Sequence, residues 1–258
     1  MARRLHESAA GRTIVSAKFP FARTTRPQSG AALARRLKNR KILKVTRRAK
    51  NILIHLPDDD LLRIHLGMTG ELYMTDADPE VFARARFALD NGQEIIFEDS
   101  RHLGRVNLIH PRDLPAFESG YGVEPLSDEF TEQWLREHAA RSRKPAKLFL
   151  MDQSQVAGLG NIWAAESLFV ARVSPLRAMN SLKPAKVRAL HAAIREVLQA
   201  AVDSAYLNYS KPGETERGNT FPFAVYGRAG EPCLRCKRKI KRMVQGGRST
   251  YYCPNCQR

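Results

Sequence analysis

The sequence predicts an α+β fold with a β-rich first half, a helical second half and a small metal-binding segment near its C-terminal end. Short β-rich runs separated by turn residues dominate the chain up to about residue 120. From about Glu124 onward the apolar residues recur at helical spacing. All four cysteines lie in the stretch EPCLRCKRKIKRMVQGGRSTYYCPNC. These three observations predict the order of the segments.

The strands of the first half are clearest in three stretches. KILKVTRRAKNILIHL is basic and β-rich, and DDDLLRIHLGM follows it across an acidic turn. RFALDNGQEIIFED predicts a hairpin, because Asn91-Gly92 supplies the positive φ angles that a tight primed turn needs. Strands at this spacing predict a sandwich or a barrel. A short helix around RRLHESAAG precedes them, and Gly11 is suited to end it.

Three helices are predicted in the second half. LSDEFTEQWLREHAARSR has Ser127 as its candidate N-cap. NSLKPAKVRALHAAIREVLQAAV carries apolar residues at helical spacing after Pro184, which a first helical turn tolerates. Between them, VAGLGNIWAAESLF predicts a glycine turn that leads into a helix starting near Asn161. The free amides of such a helix start attract phosphates, although a Gly-x-Gly-Asn sequence is more often a plain cap.

The overall charge favours a polyanionic partner. The chain of 258 residues has 43 Lys+Arg against 26 Asp+Glu, a formal net charge of +17. Such charge is typical of nucleic-acid binding, and a generally basic protein of the ribosomal kind is the alternative. No apolar run approaches the roughly 18 residues of a membrane span, and no signal-peptide core is found at the start. We therefore expect a cytoplasmic protein with no membrane partner.

The four cysteines predict a structural zinc site. In a reducing compartment, clustered cysteines favour metal ligation over disulfides. Two Cys-x-x-Cys pairs separated by 16 residues offer four thiolates to one tetrahedral zinc ion, with an iron–sulfur cluster or a redox pair as the alternatives. Four thiolates leave no open position, so catalysis at the metal is not expected. The ligands are Cys233, Cys236, Cys253 and Cys256.

The cysteine segment is also strongly basic. Residues 227–258 hold nine Lys or Arg and one acid, Glu231, which gives a net charge of +8. A zinc-held hairpin presents such cations rigidly to phosphates, whereas the alternative, a solvated basic tail, needs no metal to hold it. Two loops of the first half carry further candidate residues. HLGMTG contains His65 and Met68, and a methionine in this place is normally part of the core. FEDSRHLGR contains Arg101, and a solvated cationic loop is the simpler interpretation of that stretch.

Taken together, seven stretches in one order resemble the formamidopyrimidine-DNA glycosylase family. The resemblance covers nearly the whole chain, and the endonuclease VIII branch shares the fold and several of the motifs. HLGMTG and WAAESLFVARVSPL are more similar to the formamidopyrimidine branch. The seven stretches are RRAKNILIHL, HLGMTGEL, DSRHLGR, GVEPLSDEF, LMDQSQVAGLGNIWAAESLF, VYGRAGEPC and YYCPNCQR.

The resemblance implies an N-terminal β-sandwich over residues 1–120, a helix-two-turn-helix domain over 121–220 and a zinc ribbon over 221–258, with DNA in the cleft between. It implies base-excision repair by a monomer that holds one structural zinc ion and acts on double-stranded damaged DNA. An oxidised purine is flipped out, its glycosidic bond is cut, and the strand is nicked by β- and δ-elimination. Extrusion is required because an enzyme cannot reach a glycosidic carbon inside a stacked duplex.

The resemblance also assigns roles to single residues. Lys50 matches the family's proton donor beside the abasic sugar, and Arg248 matches the zinc-hairpin arginine that grips phosphates and assists δ-elimination. Asn161 matches a phosphate ligand. The remaining residues match or lie beside DNA contacts, and Met68, Arg101 and Leu103 match the three that fill the hole left by the flipped base. Those expected near DNA are Lys147, Met68, Arg101, Leu103, His65 and Arg84.

Three features depart from the family pattern. Leu103 stands where the family commonly has Phe, and the segment between Tyr209 and Val225 is short, which argues against a preference for 8-oxoguanine. The family begins, after removal of Met, with Pro-Glu-Leu-Pro-Glu, whose proline amine is the nucleophile. This chain begins MARRLHESAAGRTI and matches the family only from inside the first helix. We expect about eight residues, beginning with that proline, to lie upstream of Met1.

Two classes of function follow from this difference. With the upstream segment, the protein is a glycosylase and lyase for oxidised purines, or for oxidised pyrimidines if it is of the endonuclease VIII kind. Without it, the protein binds damaged or abasic DNA and does no chemistry. A generic zinc-ribbon protein does not account for the N-terminal half.

Overall fold

A computed structural model describes residues 1–76, 82–208 and 221–258, so the segments 77–81 and 209–220 are outside this account. The described chain divides into two compact units, one from Met1 to Glu118 and one that begins at Ser119 and includes the C-terminal residues. The described residues contain no helix with the length and apolar character needed to cross a membrane. The expected domain limit near residue 120 falls beside the division between the units, whereas the C-terminal ribbon packs with the helices.

The first unit is a sandwich of two antiparallel sheets. One sheet has the strand order β2-β1-β7-β8-β6 and the other has the order β3-β4-β5-β9. Three helices precede or follow β1. The strands are β1 (Thr13–Lys18), β2 (Arg40–Lys41), β3 (Lys44–Arg48), β4 (Asn51–His55), β5 (Leu61–His65), β6 (Gly70–Thr75), β7 (Ala83–Leu89), β8 (Glu94–Asp99) and β9 (Arg105–Ile109); the helices are α1 (Ala2–Ala9), α2 (Ala22–Thr25) and α3 (Gly30–Leu37).

Apolar side chains from both sheets form one core. Phe87 and Phe97 of the first sheet and Ile54 and Ile64 of the second are completely buried within it. Strand β4 is buried on both faces, because Leu53 on its outer face packs against Leu61 and Ile109 under the short helix α4 (Leu114–Ser119). Burial of side chains of this size stabilises the sandwich by roughly 1.5–3 kcal/mol each. The predicted β-sandwich is confirmed.

The predicted hairpin around residues 86–99 is present, but its turn differs from the expected one. The amide of Gly92 donates to the carbonyl of Leu89 (3.1 Å), and only Gly92 of the Asn91-Gly92 pair has a positive φ, at +84°. A type I′ turn needs a positive φ at both central residues and a type II′ turn needs one at the first, so this is a longer loop in which Gly92 alone of the pair is left-handed. The side-chain oxygen of Asn91 accepts from the amide of Gln93 (3.2 Å) instead.

The second unit contains a helical core and the ribbon. The helices are α5 (Glu132–Ala140), α6 (Ala146–Met151), α7 (Asn161–Val170) and α8 (Pro184–Asn208). Helix α5 begins later than the sequence predicts, because the hydroxyl of Thr131 accepts from the amide of Trp134 (3.0 Å) and is the N-cap. Ser127 bonds instead to the carbonyl of Glu124 in a preceding turn. Helices α7 and α8 begin at the residues that the sequence predicts.

The ribbon consists of two strands and two cysteine turns. Strands β10 (Lys241–Gln245) and β11 (Arg248–Tyr252) form a hairpin that turns at Gly246-Gly247. Buried cysteines of the ribbon share an apolar cluster with Ala165 and Phe169 of α7. The ribbon therefore packs as part of the helical unit.

Candidate nucleic-acid interface and metal centre

The four cysteines form a metal site. Their sulfur atoms all lie within 4.8 Å of one another, with Cys233 to Cys256 at 3.9 Å and Cys236 to Cys253 at 3.5 Å. A tetrahedral zinc ion with Zn–S bonds of about 2.3 Å separates its sulfur ligands by about 3.8 Å. The donor set and its spacing therefore fit one zinc ion with no open position. When bound, the ion supplies a cross-link between the two cysteine turns, and no catalytic role.

The ribbon hairpin is fixed at the residue that follows Arg248. The ammonium of Lys147 donates to the carbonyl of Ser249 (3.1 Å) and to the hydroxyl of Thr250 (2.5 Å). The side-chain amide of Asn161 donates to the same Ser249 carbonyl (3.1 Å). Helices α6 and α7 thus hold the hairpin beside Arg248, which is itself exposed.

Lys147, which the resemblance matches to a DNA contact, lies buried against the ribbon hairpin. Its side chain is fully buried, and its ammonium is directed to the hairpin. Burial, with a smaller effect from the nearby positive charge of Arg248, lowers the pKa of Lys147 from 10.5 to about 8. The structure therefore gives Lys147 a supporting role behind Arg248.

Asn161 lies at the start of α7, at the end of a tightly bonded glycine turn. Gly158 has φ +81°, and its amide donates to the side chain of Gln153 (2.9 Å). The same side chain donates to the carbonyl of Leu159 (3.0 Å), which closes the turn. The same Asn161 amide also donates to the hydroxyl of Tyr226 (3.5 Å), so an anion approaching the helix start is met by the first backbone amides of α7.

Glu166 is a buried residue of this site that the sequence analysis did not identify. Its carboxylate accepts from the backbone amides of Ala224 (2.8 Å), Val225 (3.0 Å) and Tyr226 (2.8 Å). These bonds fix the chain where it enters the ribbon. A charged residue inside the otherwise apolar WAAESLF helix is the sequence feature that indicates such a role.

In the first unit, two loops bring the three hole-filling candidates together. Met68 lies between β5 and β6, and Arg101 and Leu103 lie between β8 and β9. The loops are joined by the Thr69 hydroxyl, which donates to the carboxylate of Asp99 (2.5 Å). Met68 is 61% exposed, so its side chain is free to contact a ligand.

Asp99 organises the second of these loops, and the sequence analysis missed it too. Its buried carboxylate accepts from the amides of Leu103 (2.6 Å), Gly104 (2.7 Å) and Arg101 (3.2 Å). Burial alone raises the pKa of this carboxyl, but the hydrogen bonds from Thr69 and the three amides outweigh it and lower the pKa. The charged carboxylate therefore determines where Arg101 and Leu103 point.

Close backbone packing adds to this bond network. A Cβ on Gly104 would lie 2.2 Å from the ring of Phe97, and a Cβ on Gly67, at φ +71°, would lie 2.9 Å from the Gly104 amide. Only glycine allows the two loops to approach this closely. Both loops are consequently rigid supports for the exposed side chains that they carry.

Arg84 is also placed differently from the expected DNA contact. Only 4% of the residue is exposed, and its Nε donates to the carbonyl of Asp99 (2.7 Å). Its guanidinium lies 4.4 Å from the centre of the Phe21 ring. An arginine satisfied in this way supports the Asp99 loop from behind and does not present its charge to solvent.

Lys50 and His65 lie at one end of the second sheet. Lys50 is exposed in the β3–β4 turn, beside Ala49, which has φ +52°. His65 pairs with Asn51 across β4 and β5, and its Nδ1 accepts from the amide of Gly67 (3.2 Å). Burial, together with the charges of Arg63, Lys50 and Arg105, lowers the pKa of His65. His65 is therefore neutral at pH 7 beside an exposed lysine.

Comparisons with known proteins cover the whole of this arrangement. Family models of the formamidopyrimidine-DNA glycosylase N-terminal domain and H2TH domain match residues 1–106 and 121–210, and a zinc finger found in FPG and IleRS matches 230–258. The formamidopyrimidine-DNA glycosylase of Chloroflexus aurantiacus is 41% identical over 265 residues, which cover 100% of this chain and 94% of that protein. The chain belongs to the formamidopyrimidine-DNA glycosylase family.

Solved structures of the formamidopyrimidine-DNA glycosylase family agree with this membership. The Lactococcus lactis Fpg in complex with DNA containing an abasic site has a TM-score of 0.88 at 32% identity and covers 99% of this chain and 96% of that one. A complex of the same protein with DNA containing FAPY-dG has a TM-score of 0.87 at 31% identity, with the same coverage. A formamidopyrimidine-DNA glycosylase of Alcanivorax borkumensis is 38% identical over 96% of this chain and 93% of that protein.

Family membership confirms the resemblance, the three-part fold and the zinc ligation that the sequence predicts. The zinc-finger match covers all four cysteines. The expected lesion-capping segment between Tyr209 and Val225 lies mostly in residues 209–220, outside the described part of the chain. The roles of single residues stay predictions.

Proposed function

We propose that this protein is a base-excision-repair DNA glycosylase that removes oxidised purines of the formamidopyrimidine type from duplex DNA. The observation that carries the proposal is the rigid support given to exposed groups suited to DNA: Arg248 beside the doubly bound Ser249 carbonyl, and Met68 and Leu103 on loops fixed by Asp99. The relatives described above carry the formamidopyrimidine name, which favours oxidised purines over oxidised pyrimidines.

Recognition begins with the phosphates. Arg248 lies on the ribbon, and Asn161 begins α7, whose first backbone amides have no partner within the helix. Charge-assisted hydrogen bonds from such groups hold a strand in register without reading its sequence. The formal charge of +17 speeds the encounter with DNA.

Base extrusion is the second step. Met68 and Leu103 are apolar wedges of the kind that separate stacked bases, and Arg101 adds a cation beside them. Leu103 presents less surface for stacking than the aromatic residue common in the family. We infer that the hole left by the lesion is filled mainly by packing against Met68 and Leu103.

We further propose that the protein nicks the abasic strand by β- and δ-elimination. Lys50 then donates a proton beside the opened sugar, and the neutral His65 lies at the same end of the second sheet. Arg248 assists the second elimination by stabilising the departing phosphate. The imine itself needs an unprotonated amine, which the family resemblance places on a proline ahead of the first helix.

Base release from defined duplexes tests the proposal. The protein is compared on duplexes that carry one formamidopyrimidine, one 8-oxoguanine or one oxidised pyrimidine. We expect it to release formamidopyrimidine fastest and to leave β,δ-elimination ends. Faster release of the oxidised pyrimidine, or release of the base without strand cleavage, would contradict this assignment.

We also propose that the protein works as a monomer in the cytoplasm, on the chromosome. A single lesion in a duplex requires one set of wedge residues and one zinc hairpin, and this chain carries both. Sedimentation of the zinc-loaded protein bound to a duplex with one abasic site should show a complex of one protein with one duplex.

A further inference from the structure

A cationic pocket lies beside the cysteine turns, away from the residues assigned to DNA. Its volume is about 410 Å³, and Asn255 lines it together with two of the cysteines, Cys236 and Cys256. Neither of these cysteines is fully buried, so the pocket opens directly onto the metal site. Four basic side chains complete the lining: Arg172, Lys186, Arg235 and Arg258.

Backbone carbonyls hold three of these cations in place. Arg235 donates to the carbonyl of Phe169 (2.7 Å) and stacks over the Phe169 ring at 4.4 Å. Lys186 donates to the carbonyl of Arg172 (2.8 Å), and Arg258 donates to the carbonyl of Asn255 (3.0 Å). The cations are thus ordered before any ligand arrives, which lowers the entropic cost of binding one.

The positive charge of the pocket is only partly balanced. In residues 1–76, 82–208 and 221–258, no Asp or Glu side chain forms an ion pair with any of the four cations. Four thiolates on a divalent zinc ion leave two negative charges. Four cations against these two negative charges and the terminal carboxylate of Arg258 leave a net positive charge at the pocket.

The pocket is at the far ends of the two elements that carry the DNA-binding residues. Asn161 begins α7, whereas Arg235 is bound at its last turn, about 14 Å away along a ten-residue helix. Arg248 begins β11, whereas the second cysteine turn follows the end of that strand, about 13 Å away. The phosphates that Asn161 and Arg248 contact therefore lie outside this pocket.

We propose that the pocket is a second anion site, which binds the phosphate groups of a small molecule independently of the DNA interface. A di- or triphosphate group matches both the excess charge and the number of cations. Arginine and lysine side chains already bound through one hydrogen to a carbonyl still have further N–H groups for phosphate oxygens. The order of the cations, and the absence of Asp and Glu from the described residues that line it, distinguish this pocket from a solvated basic surface.

Calorimetric titration of the zinc-loaded protein with inorganic pyrophosphate tests the proposal. We expect binding at one site, weakened at least about tenfold by Arg172→Gln combined with Arg258→Gln, because two charge-assisted contacts are lost. Lys186 and Arg235 are left unchanged, since they also bind the helix ends. Arg143→Gln with Arg177→Gln removes the same charge outside the pocket and should leave the affinity unchanged.

Measurements of zinc content and of competition between pyrophosphate and DNA distinguish an independent anion site from a structural role of the cations and from a part of the DNA interface. The double pocket variant should keep its zinc, and a saturating duplex with one abasic site should not displace pyrophosphate. Absence of binding by the wild-type protein, or an equal loss in the control variant, would overturn the proposal. Loss of zinc from the pocket variant without pyrophosphate binding would show that the cations only neutralise the thiolates. Displacement by the duplex would assign the pocket to the DNA interface.

Discussion

At the scale of single residues, a substitution of the exposed Arg248 tests the proposed DNA interface directly. The sequence indicates Arg248 by its place in a basic, zinc-held hairpin, and its side chain is exposed, with no side-chain hydrogen bond or ion pair to the residues that the structure describes. Arg248→Ala should therefore weaken binding to a duplex with an abasic site and lower the slope of log affinity against log salt by about one unit. Arg177→Ala, an exposed arginine outside the ribbon, is the matched control. An unchanged slope for Arg248→Ala, with the midpoint of unfolding unchanged, removes Arg248 from the interface.

Lys147 offers a second test through pH. Its pKa in the folded protein is lowered to about 8, so between about pH 8 and 10.5 the unfolded chain holds a proton that the folded protein has lost. Stability contributed by this group therefore rises with pH across that window, by at most about 3 kcal/mol. Lys147→Met should abolish that rise in the free energy of unfolding, measured by denaturant titration at pH 7.5 and 9.5. Lys183→Met changes an exposed lysine, and this control should retain the rise in the free energy of unfolding between the two pH values. If the rise survives in Lys147→Met, the burial assigned to Lys147 is contradicted.

These residues also mark the limits of a sequence-based prediction. Cysteine spacing predicted the zinc ligands, because four thiolates at this spacing have few other uses. Lys147 was expected to contact DNA because it matches a DNA contact of the family, and Arg84 because it lies beside such contacts, yet both are buried and satisfied. Burial of a long side chain depends on partners that are distant in sequence, such as Thr250 for Lys147. Glu166 and Asp99 escaped notice for the same reason, since their partners are backbone amides.

At the scale of elements, the loop between β8 and β9 depends on one carboxylate. Asp99→Asn keeps the shape of the side chain but removes the charge and one of the two acceptor oxygens. Destabilisation of about 1–3 kcal/mol is expected, because at least one backbone amide loses its partner. The variant should also lose part of its preference for an abasic duplex over an undamaged one, since Arg101 and Leu103 are no longer held. Asp128→Asn, at an exposed position, is the control; an equal preference in both variants contradicts the role given to Asp99.

Helices and strands that a local sequence pattern defines were predictable. Helix starts and turns for which two nearby residues or two geometries are equally suited were not. The β-rich stretches KILKVTRRAKNILIHL and DDDLLRIHLGM predicted β3, β4 and β5, and the glycine turn predicted the start of α7. The start of α5 was misplaced because Ser127 and Thr131 are equally suited to cap a helix, and packing rather than sequence decides between them. The Asn91-Gly92 turn was assigned a primed geometry, but the register of β7 and β8 leaves room for a longer loop.

At the scale of the whole molecule, zinc is expected to control more than the ribbon. The ribbon shares an apolar cluster with Ala165 and Phe169 of α7, and Lys147 and Asn161 bind its hairpin. Cys253→Ser should release zinc, weaken DNA binding by about tenfold or more, and loosen α7 as well, because a structural zinc site contributes folding energy directly. Elemental analysis, binding to an abasic duplex and hydrogen exchange at residues 161–170 measure the three effects. Intact zinc content, or unchanged protection of α7 after zinc loss, contradicts this coupling.

The global properties of the molecule followed from composition and motif order. A charge of +17 predicted a polyanionic partner, and motifs in one order over nearly the whole chain predicted the family that the comparisons then established. Composition says nothing of which cations face a ligand. The two cationic regions of the second unit, around Arg248 and around Arg172, have the same residue types, and only their positions in the fold assign them to different ligands.

The most direct test of the central claim is the affinity of the zinc-loaded 258-residue chain for matched duplexes. One duplex carries an abasic-site analogue and the other is undamaged, and both are measured at the same salt concentration. Because an abasic site removes the cost of unstacking a base, the fixed wedge loops should favour the abasic duplex by about tenfold or more. Met68→Ala with Leu103→Ala should reduce that ratio while leaving binding to the undamaged duplex unchanged. Equal affinity for both duplexes would contradict the account, because the rigid loops would then have no part in finding damage.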